Sequence, residues 1–79
     1  MDKETQDQKK FLEELLEWTK KRDNILEEIE HKLYEMKEIA EYAFEYDLSP
    51  DEVARLNLQL DEKKREVQSL ENQLQSVVH

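Results

Sequence analysis

Between Val53 and Val77 the chain advances in alternating steps of three and four residues, through Val53, Leu56, Leu60, Lys63, Val67, Leu70, Leu74 and Val77. All but Lys63 are apolar. A mean step near 3.5 residues places these side chains on one side of an α-helix. A stripe of that kind is satisfied only when another helix lies against it. The chain must therefore be helical here, and it must supply or find a second helix.

The second helix lies upstream. Phe11, Leu15, Trp18, Ile25, Ile29, Met36, Ile39, Ala43 and Tyr46 follow the same spacing, with Arg22 and Lys32 as its polar members. Leu12, Leu26, Leu33 and Ala40 each sit one residue after a stripe position. They widen the stripe into the core-facing pattern of a bundle helix. The stretch Thr19-Lys20-Lys21-Arg22-Asp23-Asn24 has no apolar residue. No Gly or Pro interrupts it and the stripe resumes in register, so the helix is expected to pass through. Asn24 and Glu27 also have the spacing of a capping box, which would restart a helix there. Residues 1–8 are polar and are expected to fray, with Thr5 or Asp7 capping a helix that starts near residue 9.

One proline punctuates the chain. In Leu48-Ser49-Pro50-Asp51-Glu52-Val53, Ser49 suits an N-cap, Pro50 the first helical position and Glu52 the far side of a capping box. Leu48 and Val53 are spaced as a hydrophobic staple, and Asp51 and Glu52 favour the positive end of the helix dipole. The spacing thus predicts helices over about 9–46 and 50–77 joined by a turn at 47–49, in one domain over residues 9–79. A turn this short favours antiparallel neighbours. The fold class expected is all-α, an antiparallel, coiled-coil-like helical hairpin.

A tip centred on Leu48 sets a register. Ala43 falls near Val53, Met36 near Leu60, Ile29 near Val67, Ile25 and Leu26 near Leu70, and Trp18 near Val77 and Val78. Lys32 and Lys63 share one level, where Glu28, Glu35 and Glu66 lie within a turn. Residues before about Glu17 have no intramolecular partner, yet Phe11, Leu12, Leu15 and Leu16 are apolar. Together with Trp18 they are the expected oligomer interface. Two hairpins that cover each other's half-open seams would form a dimeric four-helix assembly.

Composition removes most other classes. The chain has neither Gly nor Cys. That excludes glycine-rich phosphate-binding loops, disulfides, thiolate nucleophiles and Cys zinc sites. A net charge of -9, from 21 acidic and 12 basic residues, argues against nucleic acid and against anionic membrane surfaces. Lys20-Lys21-Arg22 and Lys63-Lys64-Arg65 are far apart and surrounded by acids. Uninterrupted apolar runs are too short for a membrane span. The polar start Met1-Asp2-Lys3-Glu4 lacks the pattern of a secretory leader, so a cytoplasmic protein is expected.

No convergent set of ligands accompanies His31 or His79, and no metal or cofactor is expected. Glu27 and His31 read as a surface pair. Glu17 with Lys21, Glu28 with Lys32 and Asp61 with Arg65 have the favourable i,i+4 orientation. The charge is uneven. Residues 35–52 hold seven acids against Lys37 alone, whereas residues 53–79 are balanced. Tyr42, Phe44, Tyr46 and Leu48 are interleaved with those acids, and Leu58 lies off the second stripe. Glu41, Tyr42, Phe44, Glu45 and Leu58 are therefore the candidate docking surface for a basic protein partner.

The segment Glu52-Val53-Ala54-Arg55-Leu56-Asn57-Leu58-Gln59-Leu60-Asp61, with Tyr46-Asp47-Leu48-Ser49-Pro50 before it, resembles the small sporulation-type aspartyl-phosphate phosphatases. Those are short helical hairpins with a Ser-Gln-x-Leu-Asp motif on the second helix. Leu60 and Asp61 match the motif, Asn57 stands at its Ser position, Leu58 at its Gln position and Gln59 at its variable position. The resemblance implies docking on a response-regulator receiver domain and hydrolysis of its aspartyl phosphate, with Asp61, Gln59 and Asn57 as the polar residues. From the residues themselves, the leading expectation is a non-enzymatic interaction module, regulatory or scaffolding. It would self-associate and hold a protein partner on a helical face.

Overall fold

The computed structural model describes residues 2–77, which form two α-helices and no strand. α1 spans Lys3–Glu45 and α2 spans Pro50–Val77, and the two are in contact. The molecule measures 70 × 18 × 12 Å, with a radius of gyration of 20.1 Å. A compact chain of this length would have a radius near 12 Å. The core is therefore a line rather than a centre. α1 alone spans roughly 64 Å at 1.5 Å per residue, so α2 lies beside it and adds thickness rather than length.

α1 is one unbroken helix of 43 residues, and Thr19–Asn24 is part of it. The Thr19 hydroxyl donates to the Leu15 carbonyl at 2.9 Å, inside the helix. Asn24 does not act as a cap. The start differs from the sequence expectation. Asp2 is the N-cap, its Oδ1 accepting the Thr5 N–H at 2.8 Å, and that bond holds its carboxyl below the usual range. Thr5 and Asp7 lie within the helix, as do residues 3–8. The physical reason is propensity. Lys, Glu and Gln are strong helix formers, so a polar segment joined to a capped start extends the helix.

α1 ends one residue before its expected limit. Tyr46 is its C-cap in extended conformation (φ -113°, ψ 145°), with its N–H still bonded to the Tyr42 carbonyl at 3.2 Å. Residues 46–49 make the connection. No described residue has a positive φ, so this turn does not need the glycine the chain lacks. Ser49 then starts α2, its Oγ accepting the Glu52 N–H at 3.3 Å. The Ser49 hydroxyl donates to Glu52 Oε1 at 3.1 Å, so the two side chains close on each other.

The core is the facing pair of stripes. On α1 the half-buried side chains run from Trp18 through Arg22, Ile25, Ile29, Lys32 and Met36 to Ile39. On α2 they run from Leu56 to Val77, and Val67 and Leu70, each 7% exposed, are buried. Ala43 and Tyr46, expected in the stripe, are exposed, and so is Val53. The extended backbone at Tyr46 takes its side chain off the helical track, and it packs on Tyr42 instead, with ring centroids 4.6 Å apart. Leu26 and Leu33 are exposed as well, because one neighbouring helix covers the stripe but not its flank. Val78 and His79 lie outside the described residues. Among the described residues no helix is long and apolar enough to cross a membrane.

Candidate functional site

Mid-seam, the two lysines of the stripes meet acids of the opposite helix. Lys63 Nζ donates to Glu35 Oε2 at 2.6 Å, and Lys32 Nζ lies 3.0 Å from Glu66 Oε2. Both helices present the same Lys-x-x-Glu spacing, Lys32 with Glu35 and Lys63 with Glu66. The helices thus exchange ion pairs reciprocally. Lys32 reaches across to Glu66 rather than along its own helix to Glu28. The first pair is a hydrogen bond. That bond from Lys63 holds the Glu35 carboxyl below its ordinary range, and the same bond raises Lys63 above its own. The Lys32 contact is an ion pair without hydrogen-bond geometry. His31 Nε2 sits 3.2 Å from Glu35 Oε1, so its partner is one turn after it rather than Glu27 one turn before. The side chains of both pairs stay partly open to water, as snorkelling side chains do, although Glu66 Oε2 itself is enclosed.

The tip holds the candidate docking residues. Phe44 is 92% exposed and Leu58 68%, each standing clear of the opposite helix. Glu41 and Glu45 are exposed, Glu41 with Lys37 Nζ at 3.8 Å. Tyr42 stacks on Tyr46 and also lines a shallow groove with Glu52, Arg55, Leu56 and Gln59, where the helices meet. The last turn of α1 has no basic residue. Glu45 and Asp47 therefore sit beside the negative end of the helix dipole uncompensated, whereas Asp51 and Glu52 sit at the positive end of α2. The tip is a negative surface carrying an exposed aromatic ring.

At the other end, every residue from Lys3 to Glu17 is exposed. Phe11 (64% exposed), Leu12, Leu15 and Leu16 form the apolar part of that segment. Trp18, grouped with them by sequence, is half-buried. The Arg22 guanidinium lies over its ring at 5.3 Å, within cation–π range. Trp18 thus belongs to the end of the seam. Sequence reasoning passed over Tyr34, which is exposed near His31 and Glu27 along one concave stretch of α1. Its one signal was an aromatic at an outward helix position.

Asn57, Gln59 and Asp61 are all exposed on α2. Asn57 and Asp61 are one turn apart on one face, and Gln59 points about 200° away from them. The three do not converge on one point in space. Among the described residues no group of three His, Asp or Glu could hold a metal ion. No protein-family model matches this chain, and neither a curated protein nor a solved structure matches it.

Proposed function

We propose that the protein is a small acidic interaction module of the cytoplasm, regulatory or scaffolding, that associates with a second copy and holds a basic protein partner on its helical tip. In this reading it is an antiparallel hairpin. Four connecting residues reach at most about 14 Å, far short of the roughly 42 Å length of α2. α2 must then start at the end of α1 where α1 stops. The reading rests on one observation above all: apolar side chains stand in water at both ends, Phe11 to Leu16 and Phe44, while among the described residues the seam encloses only Val67 and Leu70. A hairpin with so little enclosed surface gains stability by covering its flanks with another chain.

Two copies make an assembly of four helices, and the stretch from Phe11 to Leu16 is the part of each copy that most lacks cover. Hydrolysis of a receiver domain's aspartyl phosphate is the less favoured alternative, since Gln59 faces away from Asn57 and Asp61. The test has two arms. Sedimentation of the full chain is expected to give a dimer, and Phe11→Glu with Leu15→Glu to lower the association state. A partner captured by the wild type is expected to be lost with Glu41→Lys and Glu45→Lys. A compact monomer at high concentration sinks the first half of the reading. Capture unaffected by those reversals sinks the second.

A further inference from the structure

The heptad does not stop where α2 stops. On α1, Phe11 and Leu15 continue the track of Trp18, Arg22 and Ile25 beyond the last covered turn, and both are exposed. Charge around them is ordered. Lys9 and Lys10 precede the apolar group, Glu13 and Glu14 lie between its two halves, and Glu17 follows it. A helix with basic residues ahead of its apolar patch and acidic residues from the middle of the patch onward is complementary to itself only when turned end for end. In parallel pairing, like charges meet.

Resting on the self-association reading above, we propose that the uncovered end of α1 is covered by the same segment of a second copy, running antiparallel. The two hairpins then join end to end about a two-fold axis near Glu13. Phe11 of each copy packs on Leu15 of the other, and Leu12 and Leu16 close one flank. On the opposite flank Lys10 of each copy meets Glu14 of the other, and Asp7 meets Lys21. The partner's segment covers α1 ahead of Trp18, and its first turn lies alongside the last turn of α2, so α1 is covered along most of its length. The positive first turn of the partner's helix then lies beside the negative end of α2, a favourable dipole arrangement. The contact is isologous and closes at two copies.

The arrangement makes a length and a charge prediction. Scattering from the full-length dimer is expected to give a longest dimension of roughly 100 Å, from two arms of about 48 Å between Glu13 and the end of α1. A side-by-side dimer keeps the 70 Å of one copy. Lys10→Glu and Glu14→Lys, made singly, each place like charges across the axis twice and are expected to weaken the dimer about tenfold. Mixing the two variants is expected to restore association as a heterodimer, because both cross-axis pairs are then opposite in sign. Leu33→Glu, outside the contact, is expected to leave the dimer intact, with helicity by circular dichroism as the folding control for every variant. A dimer of about 70 Å, loss of the dimer in Leu33→Glu, or no gain on mixing overturns the end-to-end arrangement while leaving self-association standing. A monomer at every concentration overturns both.

Discussion

Lys63 donates to Glu35 across the seam at 2.6 Å, joining two side chains 28 residues apart in sequence. The bond shifts both groups in the direction that keeps them charged. Glu35 is held below its ordinary 4.5, so its contribution is present above that value and drains away as pH falls through the lowered one. Lys63 is raised above its ordinary 10.5, so its contribution is full below that value and is lost as pH rises through the raised one. The pair thus supports the hairpin between about pH 5 and pH 10. Urea midpoints measured from pH 6 to pH 3 are expected to fall more steeply for the wild type than for Glu35→Gln. Parallel curves would show that the bond does not report on folding.

The same level of the seam sets a trade between stability and uniqueness. Replacing Lys32 and Lys63 by Leu completes both stripes with apolar side chains. Extra apolar burial is expected to raise the thermal midpoint by roughly 5–10 °C. Uniqueness should suffer, because polar residues at seam positions restrict register and copy number. Sedimentation of the double variant is expected to show species larger than the wild type. An unchanged association state would mean that the lysines do not limit assembly.

Much of the architecture was readable because the heptads and the Ser49-Pro50-x-Glu52 start are local signals, each fixed by a few neighbouring residues. The shared level of Lys32 and Lys63, and their acidic neighbours Glu35 and Glu66, followed from counting back from one turn. The helix start at Lys3 is less legible, since a polar terminal segment suggests fraying although Lys, Glu and Gln favour helix. Tyr46 kept the spacing of the stripe but sits where the backbone becomes extended, which spacing cannot register. The surfaces were legible only as leftovers. An exposed Phe11 or Phe44 announces that something is missing, but its occupant is set by another chain's chemistry.

Val67 and Leu70 carry the enclosed part of the core. Leu70→Ala is expected to cost about 2–3 kcal/mol, the low end for buried leucines, since this seam can collapse around the gap. Leu58→Ala removes the same atoms from open solvent and is expected to stay within about 0.5 kcal/mol. Urea denaturation of both variants checks the pair. Equal effects would mean that α2 packs through a different face.

Ser49 ties the first turn of α2 through its bonds with Glu52. Ser49→Ala removes both and is expected to cost about 1 kcal/mol, with an unchanged denaturant slope. Ser49→Asp, which can still accept the Glu52 N–H, is expected to recover most of that loss. A loss equal to that of Ala would show that the hydroxyl-to-carboxylate contact, rather than the cap, matters.

Phe44 offers the clearest separation of stability from function. Its ring is 92% exposed, so nothing in the hairpin depends on it, and Phe44→Ala is expected to leave the thermal midpoint within about 2 °C. If a basic partner docks at the tip, the same variant removes the apolar anchor and is expected to weaken binding by 10-fold or more, since central aromatics cost about 2 kcal/mol when truncated. The acids contribute differently. Glu41, Glu45 and Asp47 act at the end of α1, where no basic side chain offsets the dipole. That attraction is screened as the Debye length falls from about 10 Å at 0.1 M salt to about 3 Å at 1 M. Salt should therefore slow association with the wild type, while the Phe44→Ala loss should persist at both concentrations, because it is not electrostatic. Calorimetry or surface binding with the captured partner checks both. Binding that is insensitive to salt and to Phe44→Ala would place the partner on another face.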